Sequence, residues 1–142
     1  MAEVSNRKIR VLVGKLGVDT HDRAAVLLCQ AFRDAGMEVI YTGVYQTPEM
    51  IVRTAIAEDV DVIALSQLDP IYRILFPEVT RLLKEHNASD ICVVGGGTIA
   101  EEDKPMLEKA GITGNYGPGT SIKTIIEHIT GRVKKERWRK AF

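Results

Sequence analysis

The chain has 142 residues, enough for one domain with a proper hydrophobic core. Its 19 Lys and Arg balance 19 Asp and Glu, so net charge gives no case for binding nucleic acid or an acidic membrane surface. Residues 1–6 lack the apolar core of a signal peptide and the longest apolar runs are strand-sized, which predicts a cytoplasmic protein without a membrane span.

Short β-branched runs alternate with amphipathic helical patterns, the rhythm of a parallel sheet covered on both faces. The first strand is predicted over residues 9–14, followed by a loop through His21. A helix then places Val26, Leu27, Ala31 and Ala35 at helical spacing, with Leu28 and Phe32 alongside, and Gly36 ends it. Residues 38–41 read as a second strand. Thr47-Pro48-Glu49 opens the second helix as N-cap, N1 proline and first-turn acid, and its inward stripe is Ile51, Val52, Ala55 and Ile56.

The third strand is predicted over residues 60–65, and a helix through Leu75, Val79, Leu82 and Leu83 follows it. Pro77 inside that helix costs about 3 kcal/mol, so the helix either begins near Ile74 or kinks. Residues 91–94 form the fourth strand, leading into Gly95-Gly96-Gly97. A charged helix over 101–110, a weak fifth strand around Ile112 and a last helix capped by Thr120, carrying Ile122, Ile125, Ile126 and Ile129, complete the pattern. Cys29 and Cys92 sit in apolar runs without Cys-x-x-Cys spacing and read as buried small hydrophobes. The expected architecture is an α/β, flavodoxin-like, doubly wound five-stranded parallel sheet of order 2-1-3-4-5. Its divisions are an N-terminal tail (1–7), the domain (8–131) and a basic C-terminal tail (132–142).

In such sheets a ligand lies beyond the carboxyl ends of the strands, so the loops there should carry the chemistry. His21 in the first loop has two readings, a solvent-facing side chain or a metal ligand. Asp19 favours the second, because a ligating imidazole normally gives its other N–H to a carboxylate. Lys15, four residues earlier, can pair with Asp19. A Lys–Asp–His–metal relay is thus coherent, and a surface charge cluster is its alternative. The three glycines are either a tight turn or a point of close backbone approach to a ligand. Ser66 is either a hydroxyl spent on backbone or a ligand donor. Gly-x-Gly-x-x-Gly spacing and a phosphate loop are both absent, and the third strand ends in Leu65-Ser66 rather than the phospho-accepting Asp of a response regulator.

Taken together the loops resemble the cobalamin-binding domain of the methylmalonyl-CoA mutase family, including the separate small subunits of acyl-CoA mutases such as 2-hydroxyisobutyryl-CoA mutase. The resemblance runs from about Arg7 to Arg132. The family's Asp-x-His-x-x-Gly is represented by Asp19-Thr20-His21-Asp22-Arg23-Ala24, its Ser-x-Leu by Ser66-Gln67-Leu68, and its Gly-Gly lies within Gly95-Gly96-Gly97. Residues 34–43 and 46–49 are close to the mutase pattern as well. Three departures from it stand out. Ala24 replaces the motif glycine, Asp69-Pro70 replaces the small residues after Ser-x-Leu, and Tyr72 stands where mutases often have histidine. Asp69-Pro70 also reads as an N-cap and N1 pair opening a helix.

The resemblance implies an adenosylcobalamin-dependent acyl-CoA mutase, with His21 replacing the cofactor's own lower base on cobalt and with Asp19 and Lys15 behind it as the catalytic relay. The freed nucleotide tail would enter a slot beside the sheet. Thr20, Asp22, Arg23 and Ala24, then Ser66, Gln67 and Leu68, then the three glycines, and then Tyr116, Gly117, Pro118, Gly119 and Thr120 would contact the cofactor. The acyl-CoA would lie in a TIM barrel of about 250 residues. This chain has no room for one, so the resemblance implies a separate large subunit without which this one is inactive. A cobalamin carrier or corrinoid methyl-transfer module is the alternative. Such modules usually place a helical bundle before the binding domain, and only a few residues precede Ile9. A regulatory domain that has kept the fold is the third reading. The tail, basic with aromatics interleaved, is expected to be the solvated end of the last helix or a docking segment burying Trp138 and Phe142 on a partner, with a nucleic-acid arm as the other reading. Truncation after Gly131 should then leave cofactor binding intact. His86 and His128 receive no role.

Overall fold

A computed structural model describes residues 7–117 and 119–138. Five parallel strands form one sheet in the order β2-β1-β3-β4-β5. They are β1 (Arg10–Gly14), β2 (Glu38–Tyr41), β3 (Val62–Gln67), β4 (Cys92–Gly97) and β5 (Ile112–Tyr116). The connections carry α1 (Arg23–Asp34), α2 (Pro48–Ala57), α3 (Tyr72–Glu85) and α4 (Lys104–Lys109), the last preceded by a 3₁₀ turn at Glu101–Asp103. After β5, α5 (Ile122–Arg132) runs on into a π-helical turn, Val133–Trp138.

Strand alternation divides the core in two. Leu12, Ile63, Leu65 and Val93 face α2, α3 and α4 and pack with Ile51, Phe76 and Leu107. Val11, Val13, Val62, Ala64 and Val94 face α1 and α5 and pack with Cys29, Phe32 and Ile129. Both cysteines are buried and free. Among the described residues, no helix is long and apolar enough to cross a membrane.

Several local expectations shift. Helix α1 turns Ala25, Cys29 and Phe32 inward and leaves Val26 and Leu27 exposed. The i, i+4, i+7 set one residue earlier wins, because Phe32 supplies the largest apolar side chain on the helix. Thr47 caps α2 as expected, accepting the Met50 N–H at 3.1 Å, but Ile56 at its far end is exposed. Helix α3 starts at Tyr72 and keeps Pro77 in its interior. The Pro70 and Ile71 carbonyls accept the Arg73 and Leu75 N–H groups, so the first turn forms ahead of Ile74, and burial of Tyr72, Phe76, Val79 and Leu83 offsets the proline. Ser121, not Thr120, caps α5, accepting the Thr124 N–H at 3.2 Å.

The largest correction concerns the C-terminal segment. Val133 and Trp138 are buried in the α1/α5 core, Trp138 being 2% exposed, so this tryptophan is neither solvated nor presented to a partner. Its Nε1–H donates to Asp61 Oδ1 at 3.0 Å, and Arg137 donates to the carboxylates of Asp59, Asp61 and Asp90 at 2.8, 2.9 and 2.6 Å. The clasp sits at the amino edge of the sheet, just before β3 and β4. Phe142 lies outside the described residues.

Candidate functional site

At the carboxyl edge, β3 and β4 run two residues further than their apolar cores. Ser66 pairs with Gly96 and Gln67 with Gly97, so the glycines belong to the strand rather than to a loop after it. Each glycine has its own reason. A Cβ at Gly95 would come within 2.7 Å of the Phe76 ring. One at Gly97, where φ is +113°, would meet the Gln67 carbonyl oxygen at 1.9 Å. Packing and backbone geometry alone therefore account for these two. A Cβ at Gly96 would meet only the Tyr116 carbonyl, at an ordinary 3.5 Å, so the fold itself does not require glycine there.

Gly96 borders a slot of about 330 Å³ between the sheet and helices α1 and α5. Its walls are period-2 strand positions, Ala64 and Ser66 on β3 and Val94 and Gly96 on β4, together with Leu28 and Phe32 of α1 and Ile125 of α5. Ala24, Leu68, Thr98, Tyr116, Gly117, Gly119 and Thr120 complete it towards the open end. A side chain at position 96 would grow into this space. The lining is mostly apolar and backbone, suited to a flat ring sliding between segments.

The relay stands beside it. Lys15 Nζ lies 3.0 Å from Asp19 Oδ2 and donates to the Ser66 carbonyl at 2.9 Å, and the side chains of Lys15 and Asp19 are both 0% exposed. Asp19 Oδ2 also accepts the Leu68 N–H at 2.8 Å. Asp19 Oδ1 accepts the His21 backbone N–H at 3.0 Å and lies 2.8 Å from His21 Nδ1. An ionised carboxylate accepts only, so in the neutral imidazole Nδ1 is the protonated nitrogen and Nε2 the one with the lone pair. The His21 side chain is 74% exposed. A buried charge pair thus presents an aimed imidazole nitrogen to solvent.

Burial alone would raise the Asp19 pKa, but the N–H groups of Leu68 and His21, the Lys15 ammonium and the His21 ring together hold it well below the usual carboxylate range. Asp19 is therefore charged at neutral pH. With its folded pKa depressed, its contribution to stability is complete above the unfolded value of about 3.9 and is lost as pH falls through the folded value. Asp19→Asn should lower the unfolding free energy by about 2 kcal/mol at pH 7. Urea unfolding of both proteins should show that gap narrowing as pH falls from 5 to 3; a gap that widens would contradict this.

The expected site residues divide. His21, Asp19 and Lys15 come together, and Ala24, Ser66, Leu68, Gly95, Gly96, Gly97, Tyr116, Gly117, Gly119 and Thr120 border the slot. Pro118 lies outside the described residues. Thr20, Asp22 and Arg23 are exposed and do not line it. The Gln67 side chain does not border the slot and ties two loops together. Its Oε1 accepts the Leu16 N–H at 3.1 Å, and its Nε2 donates to the Leu16 carbonyl at 2.8 Å and to Asp69 Oδ1 at 3.0 Å, which fixes the loop that carries the relay. Leu28, Phe32, Ala64, Val94, Thr98 and Ile125 escaped the sequence reading; the residues on β3 and β4 were legible as same-face partners of Ser66 and Gly96.

Among the described residues no group of three or more His, Cys, Asp or Glu could hold a metal ion.

The family model for the B12 binding domain matches residues 9–126. The chain is 42% identical to the 2-hydroxyisobutanoyl-CoA mutase small subunit of Aquincola tertiaricarbonis, covering 88% of this chain and 92% of that one. It is 39% identical to the pivalyl-CoA mutase small subunit of Xanthobacter autotrophicus, covering 96% and 92%. Against the methylmalonyl-CoA mutase of Cereibacter sphaeroides it is 38% identical, covering 96% of this chain but 19% of the longer one. Among solved structures, a cobalamin-binding protein from Desulfitobacterium hafniense superposes with a TM-score of 0.70 at 18% identity, covering 93% of this chain and 60% of that one. A Francisella response-regulator receiver domain gives 0.69 at 18%, covering 90% and 98%. The last two speak to the fold alone.

Proposed function

The chain belongs to the B12-binding domain family, and from that premise we propose that it is the cobalamin-binding small subunit of an adenosylcobalamin-dependent acyl-CoA mutase. The observation that carries the reading is the Asp19-held imidazole of His21 beside a slot bordered by Gly96, a glycine that the fold itself does not require. When bound, adenosylcobalamin supplies a cobalt–carbon bond whose homolysis starts the radical rearrangement of a carbon skeleton.

The chain's own residues bind and orient. His21 Nε2 would hold the cobalt in place of the cofactor's own base. Asp19 fixes the tautomer and ring plane of that imidazole, and Lys15 keeps the carboxylate ionised. Ser66, Gly96, Gly117, Gly119 and Thr120 would hold the displaced nucleotide tail, while Leu28, Phe32 and Ile125 would keep water from it. The substrate, an acyl-CoA, binds chiefly to a separate large subunit built on a TIM barrel, a reading supported by the likeness to two small subunits of acyl-CoA mutases. The protein acts in the cytoplasm.

The test is reconstitution. A candidate large subunit with adenosylcobalamin should isomerise its acyl-CoA only when this chain is added. Turnover of the same size without the chain would end the reading and favour a carrier or methyl-transfer role.

A further inference from the structure

Tyr72 is one of the largest fully buried side chains, 2% exposed, yet its hydroxyl works at a loop. It donates to Asp103 Oδ2 at 2.5 Å and accepts the Ala100 N–H at 3.0 Å. Arg73 Nε donates to the same carboxylate oxygen at 2.7 Å. These two bonds hold the Asp103 carboxyl below its usual range, although it lies at the surface. The first turn of α3 thereby grips the segment between β4 and α4 at two points.

That segment is also gripped from the other side. The Thr98 N–H donates to the Gln67 carbonyl at 3.1 Å, and Thr98 Oγ1 donates to the Leu68 carbonyl at 2.7 Å. Thr98 borders the slot, and the N–H of Leu68 is the one bound to Asp19 Oδ2. Hydrogen bonds joined by short main-chain links, through Ile99 and across Leu68, thus lead from Tyr72 through Ala100, Thr98 and Leu68 to the carboxylate that aims His21. The Tyr72 ring meanwhile packs on Phe76, centroids 5.8 Å apart, and Phe76 is the side chain against which Gly95 is pressed.

We propose that Tyr72, clamped by Asp103 and Arg73, is a positioning residue for corrinoid capture, setting through Thr98 and Leu68 both one wall of the slot and the orientation of the Asp19–His21 pair. The inference rests on the cobalamin-binding reading above, and it concerns a residue that touches neither the slot nor the imidazole.

Tyr72→Phe removes both hydroxyl bonds and keeps the ring in its core, whereas Asp103→Asn keeps both the hydroxyl and an acceptor for it. Two measurements on the full chain separate the outcomes. Amide hydrogen exchange without ligand should be faster in Tyr72→Phe at Ala100 and also at Leu68, and near wild type at Leu68 in Asp103→Asn. Titration with hydroxocobalamin, followed by the visible spectrum, should show about a tenfold weaker Kd in Tyr72→Phe and a smaller histidine-dependent spectral change at saturation, with Asp103→Asn staying near wild type in both. Exchange that quickens only at Ala100, or a Kd and spectrum within twofold of wild type despite a lower melting temperature, would overturn the proposal and leave Tyr72 a packing residue. If wild-type protein takes up no hydroxocobalamin, the cobalamin reading itself fails, and the Leu68 exchange rate still decides whether Tyr72 governs the relay.

Discussion

His21→Ala should abolish the histidine-dependent spectrum of bound hydroxocobalamin and raise its Kd about 100-fold or more. Loss of a residue that only supports a ligand typically costs 10–100-fold in metal affinity, and here the ligand itself is deleted. The fold should be indifferent to the change, because the ring is 74% exposed and its loss leaves Asp19 still held by Lys15, Leu68 N–H and the His21 main chain. Unfolding midpoints of the two proteins should therefore lie close together while their titrations part. A variant that kept the wild-type spectrum would show that cobalt retains its own nucleotide base, and the assignment of His21 would fall.

The second large effect lies at the other end of the sheet. Trp138→Ala should lower the unfolding free energy by about 3–5 kcal/mol, the range for truncating a buried large aromatic. The indole fills the core beside Val133 and Ile129 and also satisfies Asp61, a carboxylate 2% exposed. Cutting after Gly131 removes Arg137 as well and leaves Asp61 with the Arg10 N–H at 2.9 Å and the Arg7 guanidinium at 3.9 Å. Breaking a buried ion pair by deleting one partner is itself strongly destabilising. Such a truncated chain should bind hydroxocobalamin poorly because it unfolds, the reverse of the expectation for a solvated tail. Denaturant titration of Trp138→Ala checks this; a change below about 1 kcal/mol would refute it.

The fold was legible because each apolar run announced its own element. β-branched runs gave the strands and the Thr47-Pro48-Glu49 signature gave the start of α2, and the order 2-1-3-4-5 followed from the alternation. The facing of α1 was not legible, since Val26 and Leu27 are as apolar as the residues that went inside, and only the sheet decides between faces one residue apart. The relay was legible from the spacing of Lys15, Asp19 and His21, all within one loop. The direction of Gln67 was not legible, because a motif position beside Ser66 says nothing about it: consecutive strand residues point to opposite faces, so the Gln67 side chain turns away from the slot and back to Leu16. The C-terminal segment misled for a different reason. Its many cations suggest solvent, but the carboxylates that neutralise Arg137 are 47 to 78 residues distant in the chain.

The chain holds a single tryptophan, and the fold places it in the clasp at the amino edge, a full strand's length from the imidazole. Its emission is thus an optical gauge of whether the clasp is shut, while visible absorption of the corrinoid reports on the nitrogen at the opposite rim. Unfolding can be followed by emission of the corrinoid-free protein and loading by visible absorption, each signal originating at its own end of the sheet.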